Sequence, residues 1–212
     1  MNNSKITKIV LTGGPCGGKS TAISQLRTIF ENIWHNVITI PESATHILSW
    51  MWVITWSDFL SIPDFQDMVI KLQIDQEWIA DKIASLYKKQ TLIILDRWLL
   101  DIKAYITVGK VNEILEKHGL IEQSILMDRY DAVIHMTSTA VDAQEFYTVL
   151  NNPARVWTCQ EQAKQLDILT EHAYIWAKNR YVVDNSTDFF WKINRVKSLI
   201  FQFLSLPNTI DI

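Results

Sequence analysis

The sequence predicts an α/β fold in which a five-stranded parallel sheet carries helices on both faces. Two observations predict it. Five short apolar runs rich in β-branched residues alternate with longer segments of helical periodicity, which is the pattern of parallel strands joined by crossover helices. The runs are apolar at nearly every position, as expected for strands that are buried on both sides.

The elements follow one another in a regular order. Apolar runs predict strands over 6–12, 37–40, 91–95, 131–136 and 181–183. Apolar residues at helical spacing predict helices over 19–30, 43–52, 63–88, 160–178 and 189–204, with a broken helical region over 99–128. Pro41 closes the second strand, Pro63 begins the longest helix, and Gly109 and Gly119 are the expected breaks. With no linker or internal repeat, we expect one domain over residues 1–212.

Composition narrows the class of protein. A formal net charge of -3 argues against a broad nucleic-acid-binding surface. Cys16 and Cys159 have no partner spacing, so we expect neither a disulfide framework nor a zinc site, and a reducing, cytoplasmic setting fits. The first residues lack the apolar core of a signal peptide, and no apolar stretch is long enough to predict a transmembrane helix.

Glycine is concentrated at one point of the chain. Four of the six glycines lie between the first predicted strand and the first predicted helix. There the sequence fits the phosphate-binding pattern G-x-x-x-x-G-K-[ST] at every fixed position, with the residues Gly13, Gly14, Pro15, Cys16, Gly17, Gly18, Lys19 and Ser20. Because the match falls between a strand and a helix, where the mechanism requires it, we interpret it as a P-loop.

Each residue type of this loop suits a nucleoside triphosphate. Glycines let backbone N–H groups approach phosphate oxygens, and the following helix directs its positive end toward them. Lys19 is expected to reach the β- and γ-phosphates, and the Ser20 hydroxyl to bind Mg²⁺. Thr21 is a further candidate contact to the α-phosphate. The sequence therefore predicts binding of ATP or GTP with Mg²⁺.

Charged residues follow two other strands, at the edge of the sheet where ligands bind in such folds. Glu42 follows the second strand and is a candidate general base or a water-mediated magnesium ligand; its alternative role is in starting a helix. Asp96 and Arg97 follow the third strand, where the acid is expected to order the metal and the guanidinium to hold a phosphate. A buried ion pair is the alternative. Asp101 is a weaker candidate.

Two later segments complete the candidate site. Residues from about 139 to 158 follow the fourth strand, where kinase-like P-loop proteins carry a mobile lid. Arg155 is its one arginine, and we expect it either to stabilise charge on the transferred phosphoryl group or to lie on the surface. The polar turn 184–187 is placed to lie beside the nucleotide base or to cap the last helix.

These motifs together resemble a known family of small P-loop proteins described as AAA-type ATPases or kinase-like domains. The TRPL translocation defect protein contains such a domain, and nicotinamide-riboside-kinase-like domains are more distant relatives. The resemblance rests on six ordered segments: 12–21, Pro41-Glu-Ser-Ala-Thr45, Asp96-Arg97 with Asp101 and Ala104-Tyr105, 129–135, Asn151-Asn-Pro-Ala-Arg155, and Asp184-Asn185. It implies a nucleoside- or nucleotide-kinase-like fold with Glu42 as the base, and, in some relatives, binding of GTP and phosphoinositides.

The chain departs from that family at two positions. Trp98 stands where the family has glycine after the Asp-Arg pair, and Trp157 stands where it has an acid two residues after the lid arginine. Trp98 is expected to fill the acceptor pocket, to stack on a base, or to mark a catalytic half that has drifted. The segment from Trp50 to Trp56 is also bulkier than in the family.

Two functions are compatible with these residues. The first is a kinase-like phosphotransferase that moves the γ-phosphoryl group of ATP or GTP to a small-molecule acceptor. Lys19, Mg²⁺ and Arg155 would stabilise the charge, Asp96 would order the metal and Arg97 would hold a phosphate. Glu42 would accept a proton. The second is a nucleotide-gated binding protein with slow hydrolysis, which would present the aromatic stretch 50–59 to a protein or phosphoinositide partner. Core packing of that stretch is the alternative.

Overall fold

The sheet has five strands, and all of them are parallel. The computed structural model describes residues 5–33, 36–50, 60–141 and 160–204. The strands are β1 (Ile6–Thr12), β2 (Val37–Ile40), β3 (Thr91–Asp96), β4 (Ala132–Met136) and β5 (Arg180–Val183). Their order across the sheet is β2-β3-β1-β4-β5. The predicted fold class, a five-stranded parallel α/β sheet, is confirmed.

The strand order places β1 at the centre of the sheet. Leu11 pairs with Asp96 of β3 on one side and with Ile134 of β4 on the other. The chain adds β3 and β2 on the first side and β4 and β5 on the second, so the order reverses next to β1. In open parallel sheets the crevice beyond the carboxyl ends at such a reversal is the usual ligand site. The P-loop motif begins at that crevice, directly after Thr12.

Seven α-helices and one 3₁₀ helix lie in the described parts of the chain. The α-helices are α1 (Lys19–Ile33), α2 (Ser43–Trp50), α3 (Ile62–Tyr87), α4 (Val108–Lys117), α5 (Glu122–Met127), α6 (Gln160–Ala173) and α7 (Phe189–Leu204). The 3₁₀ helix is Leu99–Ala104. None of these helices is both long and apolar enough to cross a bilayer, within the residues that the structure describes.

Most predicted boundaries agree with the structure to within a few residues. The clearest error is at Gly109, which lies inside α4 instead of breaking the helical region. The break falls at 105–107, before Val108, whereas Gly119 does follow a helix end and has φ 64°. Glycine lowers helix propensity by only about 1 kcal/mol, and Val111, Ile114 and Leu115 outweigh this by burying their side chains. The helix α6 ends at Ala173, five residues earlier than predicted.

Two apolar cores lie on opposite faces of the sheet. One joins the sheet to α1 and α7, where the rings of Phe30 and Phe201 pack with centroids 5.1 Å apart. The other joins it to α3, the 3₁₀ helix, α4 and α5, and includes Ile70 and Trp98. Each fully buried aliphatic or aromatic side chain contributes about 1.5–3 kcal/mol from burial. The two cores hold the ends of β1, β3 and β4 in fixed positions relative to one another.

Trp98 belongs to the second core and has no exposed surface. Its indole Nε1 donates to Glu77 Oε2 over 2.8 Å, and Glu77 also accepts from Lys8 Nζ at 3.0 Å and from Arg129 Nε at 3.2 Å. A buried carboxylate needs such donors, because an unpaired charge in the interior is costly. Trp98 therefore neither stacks on a base nor lines an open pocket. The base-stacking explanation offered for it from sequence is wrong.

Candidate functional site

The P-loop is a tight bend between β1 and α1 with an unusual backbone. Gly13 has φ 137°, and a Cβ at this position would lie 2.2 Å from the carbonyl oxygen of Met136 on β4. Only glycine fits so close an approach. Cys16 adopts φ 58°, which is uncommon for a residue with a side chain. Such outliers persist where the surrounding structure enforces them, and they are concentrated at ligand-binding sites.

The Lys19 ammonium lies inside this bend. It is 7 % exposed and donates to the carbonyl oxygens of Gly13 at 2.8 Å and Gly14 at 2.7 Å. Burial, assisted by the nearby Arg97 guanidinium, lowers the pKa of Lys19 to about 8. A polyphosphate in the loop would give the ammonium anionic acceptors in place of neutral carbonyls. The loop thus holds a buried cation close to where a phosphate chain would lie.

Ser20 and Asp96, the two residues expected from the sequence to serve Mg²⁺, lie in contact next to Lys19. The Ser20 hydroxyl donates to Asp96 Oδ2 over 3.0 Å. Burial, with a smaller contribution from Glu42, raises the pKa of Asp96, while Lys19 and Arg97 oppose the shift. A hydroxyl oxygen beside a carboxylate suits Mg²⁺, which usually binds one or two protein oxygens together with phosphates and water. No cluster of three or more His, Cys, Asp or Glu side chains suited to a metal occurs in the described ranges.

Glu42 and Arg97 form an ion pair at the same edge of the sheet. Glu42 Oε1 lies 2.8 Å from Arg97 Nε, and Glu42 Oε2 accepts from Thr45 Oγ1 at 2.8 Å. Arg97 has φ 59°, and its backbone N–H donates to the carbonyl oxygen of Leu11 at 2.9 Å. This strained backbone directs the guanidinium across the ends of β3 and β2. Arg97 is thus paired with Glu42 in this structure.

Asp101 lies beside the Glu42–Arg97 pair, although the sequence indicates it only as a weak candidate site residue. It is 4 % exposed, accepts from Thr12 Oγ1 at 2.8 Å, and lies 3.7 Å from Arg97 Nη1. Burial raises the pKa of Asp101, and Arg97 and Thr12 oppose that shift. Tyr105 completes the cluster with its hydroxyl 3.5 Å from Arg97 Nη1. The 3₁₀ helix brings Asp101 back to Thr12 at the end of β1.

Asp167 on α6 is a site neighbour that the sequence analysis missed. Its carboxylate accepts from the backbone N–H of Gly14 over 2.6 Å. A signal was present in the sequence, because Asp167 lies on the same helix face as the buried residues Ala163, Thr170 and Ala173. An acid on a buried helix face requires a partner, and here the partner is the phosphate-binding loop.

The remaining predicted residues fall into two groups. The first group lies outside the described residues: Arg155, Trp157, most of the segment 139–158, and residues 51–59. Trp50, at the start of the aromatic stretch, is the last residue of α2 and is 64 % exposed. The turn 184–187 lies before α7, and Asn185 Nδ2 donates to the carbonyl oxygens of Ser138 at 2.8 Å and Val141 at 2.7 Å. The cap of α7 comes from Asp188, which accepts from Trp191 N at 2.9 Å.

The parallel sheet, the glycine-rich bend and the polar cluster together define a P-loop protein with the architecture of a nucleotide kinase. A family model described as an AAA domain matches residues 8–191, so the chain belongs to the AAA domain family. A crystal structure of thymidylate kinase from Ehrlichia chaffeensis is similar, with a TM-score of 0.59. It is 17% identical to this chain, and the alignment covers 94% of this chain and 98% of that one. At this identity the likeness concerns the fold. A search of curated proteins finds no match.

Proposed function

We propose that the protein binds ATP or GTP with Mg²⁺ and transfers the γ-phosphoryl group to a small-molecule acceptor. The observation that carries this proposal is the position of the Ser20–Asp96 contact next to the Glu42–Arg97 pair. It supports a single cleft in which a magnesium-binding pair and a candidate base lie at the carboxyl ends of adjacent strands. Kinases need these two functions side by side.

The residues of the loop would hold the donor. Backbone N–H groups of residues 16–19 and the start of α1 would contact the phosphate oxygens, with Thr21 as a further contact to the α-phosphate. Lys19 would move from the carbonyl oxygens of Gly13 and Gly14 to the β- and γ-phosphates. Ser20 and Asp96 would hold Mg²⁺, which supplies positive charge to the phosphates when it is bound.

Glu42 and Arg97 would act on the acceptor. An acceptor hydroxyl would lose its proton to Glu42, and its oxygen would form the new bond to the γ-phosphorus. The bond from that phosphorus to the bridging oxygen would break, and the nucleoside diphosphate would leave with both bonding electrons. Arg97 would stabilise negative charge on the phosphoryl group or on a phosphate of the acceptor. Arg155 is proposed to add a second guanidinium from the lid segment.

A second candidate is a nucleotide-gated binding protein with slow hydrolysis. The Glu42 carboxylate is bonded to Arg97 and Thr45, and a base held in this way is less available to an acceptor. Nucleotide occupancy would then change the lid segment and present the stretch 50–59 to a protein or phosphoinositide partner. We also propose that the protein is related to TRPL-type or nicotinamide-riboside-kinase-like domains. We further propose that residues 1–212 form a single domain and that the protein is cytoplasmic.

The test is a panel assay with purified protein, ATP or GTP, Mg²⁺ and candidate nucleosides, nucleotides and sugars. A kinase forms a phosphorylated product and a nucleoside diphosphate in equal amounts, and only when its acceptor is present. Turnover that no acceptor raises above a slow basal rate would favour the gated protein. Lys19→Ala should abolish both activities, and the exposed Lys71→Ala serves as the matched control.

A further inference from the structure

Asp167 lies at the meeting point of three segments that are far apart in sequence. Its side chain projects from α6 and is 3 % exposed. Oδ1 accepts from the backbone N–H of Gly14 at 2.6 Å and from that of Ser138 at 3.0 Å, and it lies 3.3 Å from His135 Nε2. One carboxylate oxygen therefore connects the P-loop, the residues after β4 and the helix α6.

The contact with Gly14 is close enough to determine the residue type there. A Cβ at Gly14 would lie 2.7 Å from both Cβ and Oδ1 of Asp167. Backbone packed this tightly against a side chain has little freedom to turn. The peptide group between Gly13 and Gly14 is fixed from its other side as well, because the Gly13 carbonyl oxygen accepts from Lys19 Nζ at 2.8 Å. Asp167 thus sets the orientation of a peptide group at the start of the loop.

The same carboxylate joins both flanks of the segment 142–159 to the loop. On the preceding flank, Ser138 Oγ donates to the carbonyl oxygen of Pro15, and Thr139 Oγ1 donates to that of Cys16 at 3.3 Å. On the following flank, α6 starts at Gln160, whose side chain donates to the carbonyl oxygen of Ala140 at 3.3 Å. The carbonyl oxygens of residues 13–16 are all engaged in this way or by Lys19.

Asp167 is suited to this role as a charged acceptor. Burial opposes its ionisation, yet the nearby His135 ring and hydrogen bonds from the backbone N–H groups of Gly14 and Ser138 hold the pKa of Asp167 below its usual value. An ionised carboxylate accepts stronger hydrogen bonds than a neutral amide does. Replacing it with asparagine keeps the shape of the side chain but places an N–H₂ group or a weaker acceptor against two donors.

We propose that Asp167 is a positioning residue that holds the P-loop in its phosphate-binding conformation and couples the loop to both flanks of the segment 142–159. The proposal rests on the proposed nucleotide binding and extends it to a residue outside the motif. Its consequence is that nucleotide binding stabilises the described residues on both flanks, 138–141 and α6.

The test compares Asp167→Asn with wild type and with Glu171→Gln in the full-length chain. Glu171 lies one turn further along α6 and pairs with Arg180, away from the loop, so it is the matched control. Amide ¹H–¹⁵N spectra report the two contacts directly, and calorimetric titration with ATP and Mg²⁺ reports affinity. In Asp167→Asn we expect the Gly14 and Ser138 amide protons to shift upfield together and ATP affinity to fall by about tenfold or more. Glu171→Gln should change neither.

Three results would overturn the proposal: unmoved Gly14 and Ser138 resonances, shifted resonances with unchanged affinity, or an equal effect in Glu171→Gln. If Asp167→Asn does not fold, Asp167→Glu keeps the charge but displaces the carboxylate, and it should give the same two effects. If wild type binds neither ATP nor GTP, the proposed function fails. The amide shifts then still decide whether Asp167 sets the loop conformation, so the two failures are distinguishable.

Discussion

Ser20 Oγ donates to Asp96 Oδ2 over 3.0 Å, which joins the first turn of α1 to the last residue of β3. The pairing of β1 with β3 makes this contact possible, because Leu11 and Asp96 are register partners and the loop returns α1 to the same edge. The result is a hydroxyl at the start of α1 beside a carboxylate at the carboxyl end of β3. The magnesium site of the proposed function depends on this pair.

Asp96→Asn should weaken the dependence of nucleotide binding on Mg²⁺. Removing a charged oxygen that orders the metal typically lowers metal affinity by about 10- to 100-fold. The measurement is ATP affinity as a function of Mg²⁺ concentration, with Asp75→Asn on the exposed face of α3 as the control. Because burial raises the pKa of Asp96, the carboxyl group protonates at a higher pH than an ordinary aspartate. The magnesium dependence of wild type should therefore weaken as the pH falls, and a pH-independent magnesium effect would argue against the assignment.

Nucleotide affinity should fall as the pH rises above about 8, where Lys19 loses its proton. The folded-state pKa of Lys19 is lowered, so the ammonium is present below about 8 and is lost above it. Loss of one required charge reduces affinity by up to about tenfold per pH unit beyond the pKa. Calorimetric titration with ATP between about pH 6.5 and about pH 9.5, which brackets the lowered pKa of about 8, would measure this. A flat profile would show that Lys19 does not contact the phosphates.

Glu42→Gln separates the two candidate functions. In a kinase, loss of the general base lowers kcat by about 100- to 10,000-fold and leaves nucleotide affinity nearly unchanged. The amide also removes the charge paired with Arg97, so the acceptor KM is expected to rise. Glu31→Gln, on the exposed face of α1, is the control. If kcat with an identified acceptor is unaffected, Glu42 is not the base.

Trp98→Ala should destabilise the fold without opening an acceptor cavity. The side chain is fully buried and donates to the buried carboxylate of Glu77. Truncating such an aromatic residue costs about 3–5 kcal/mol in the free energy of unfolding. Trp78→Ala, at a site 62% exposed on α3, should change it by only about 0.5 kcal/mol. Urea unfolding followed by circular dichroism measures both, and equal effects of the two substitutions would contradict the burial of Trp98.

Much of the fold could be predicted because its signals are local. The run 6–12, the loop and the helix from Lys19 each carry their own pattern, and the parallel sheet follows from their alternation. The predicted break at Gly109 was wrong because glycine lowers helix propensity only slightly, and burial of one face of α4 outweighs that loss. The prediction that Trp98 stacks on a base was wrong for a different reason. Whether a side chain after a strand enters the core or the cleft depends on its partner, and Glu77 lies 21 positions earlier in the chain.

The candidate site was only partly predictable for the same physical reason. Lys19 and Ser20 belong to a motif whose spacing fixes their geometry, and Asp96 follows a strand next to β1. The roles of Thr12, Asp101 and Asp167 depend on contacts across 89 and 153 positions. A single sequence contains no direct record of such pairings. An acid on a buried helix face shows that a partner exists, but the folded structure is needed to identify Gly14 as that partner.

The central claim is that the bend from Gly13 to Ser20 holds the phosphates of a nucleoside triphosphate. A crystal structure of the protein with Mg²⁺ and a non-hydrolysable ATP or GTP analogue tests it most directly. We expect the phosphates within the bend, Lys19 Nζ moved from the Gly13 and Gly14 carbonyl oxygens to phosphate oxygens, and a metal between the phosphates and the Ser20–Asp96 pair. A vacant bend, with Lys19 still bonded to the loop and the nucleotide elsewhere or absent at saturating concentration, would contradict it.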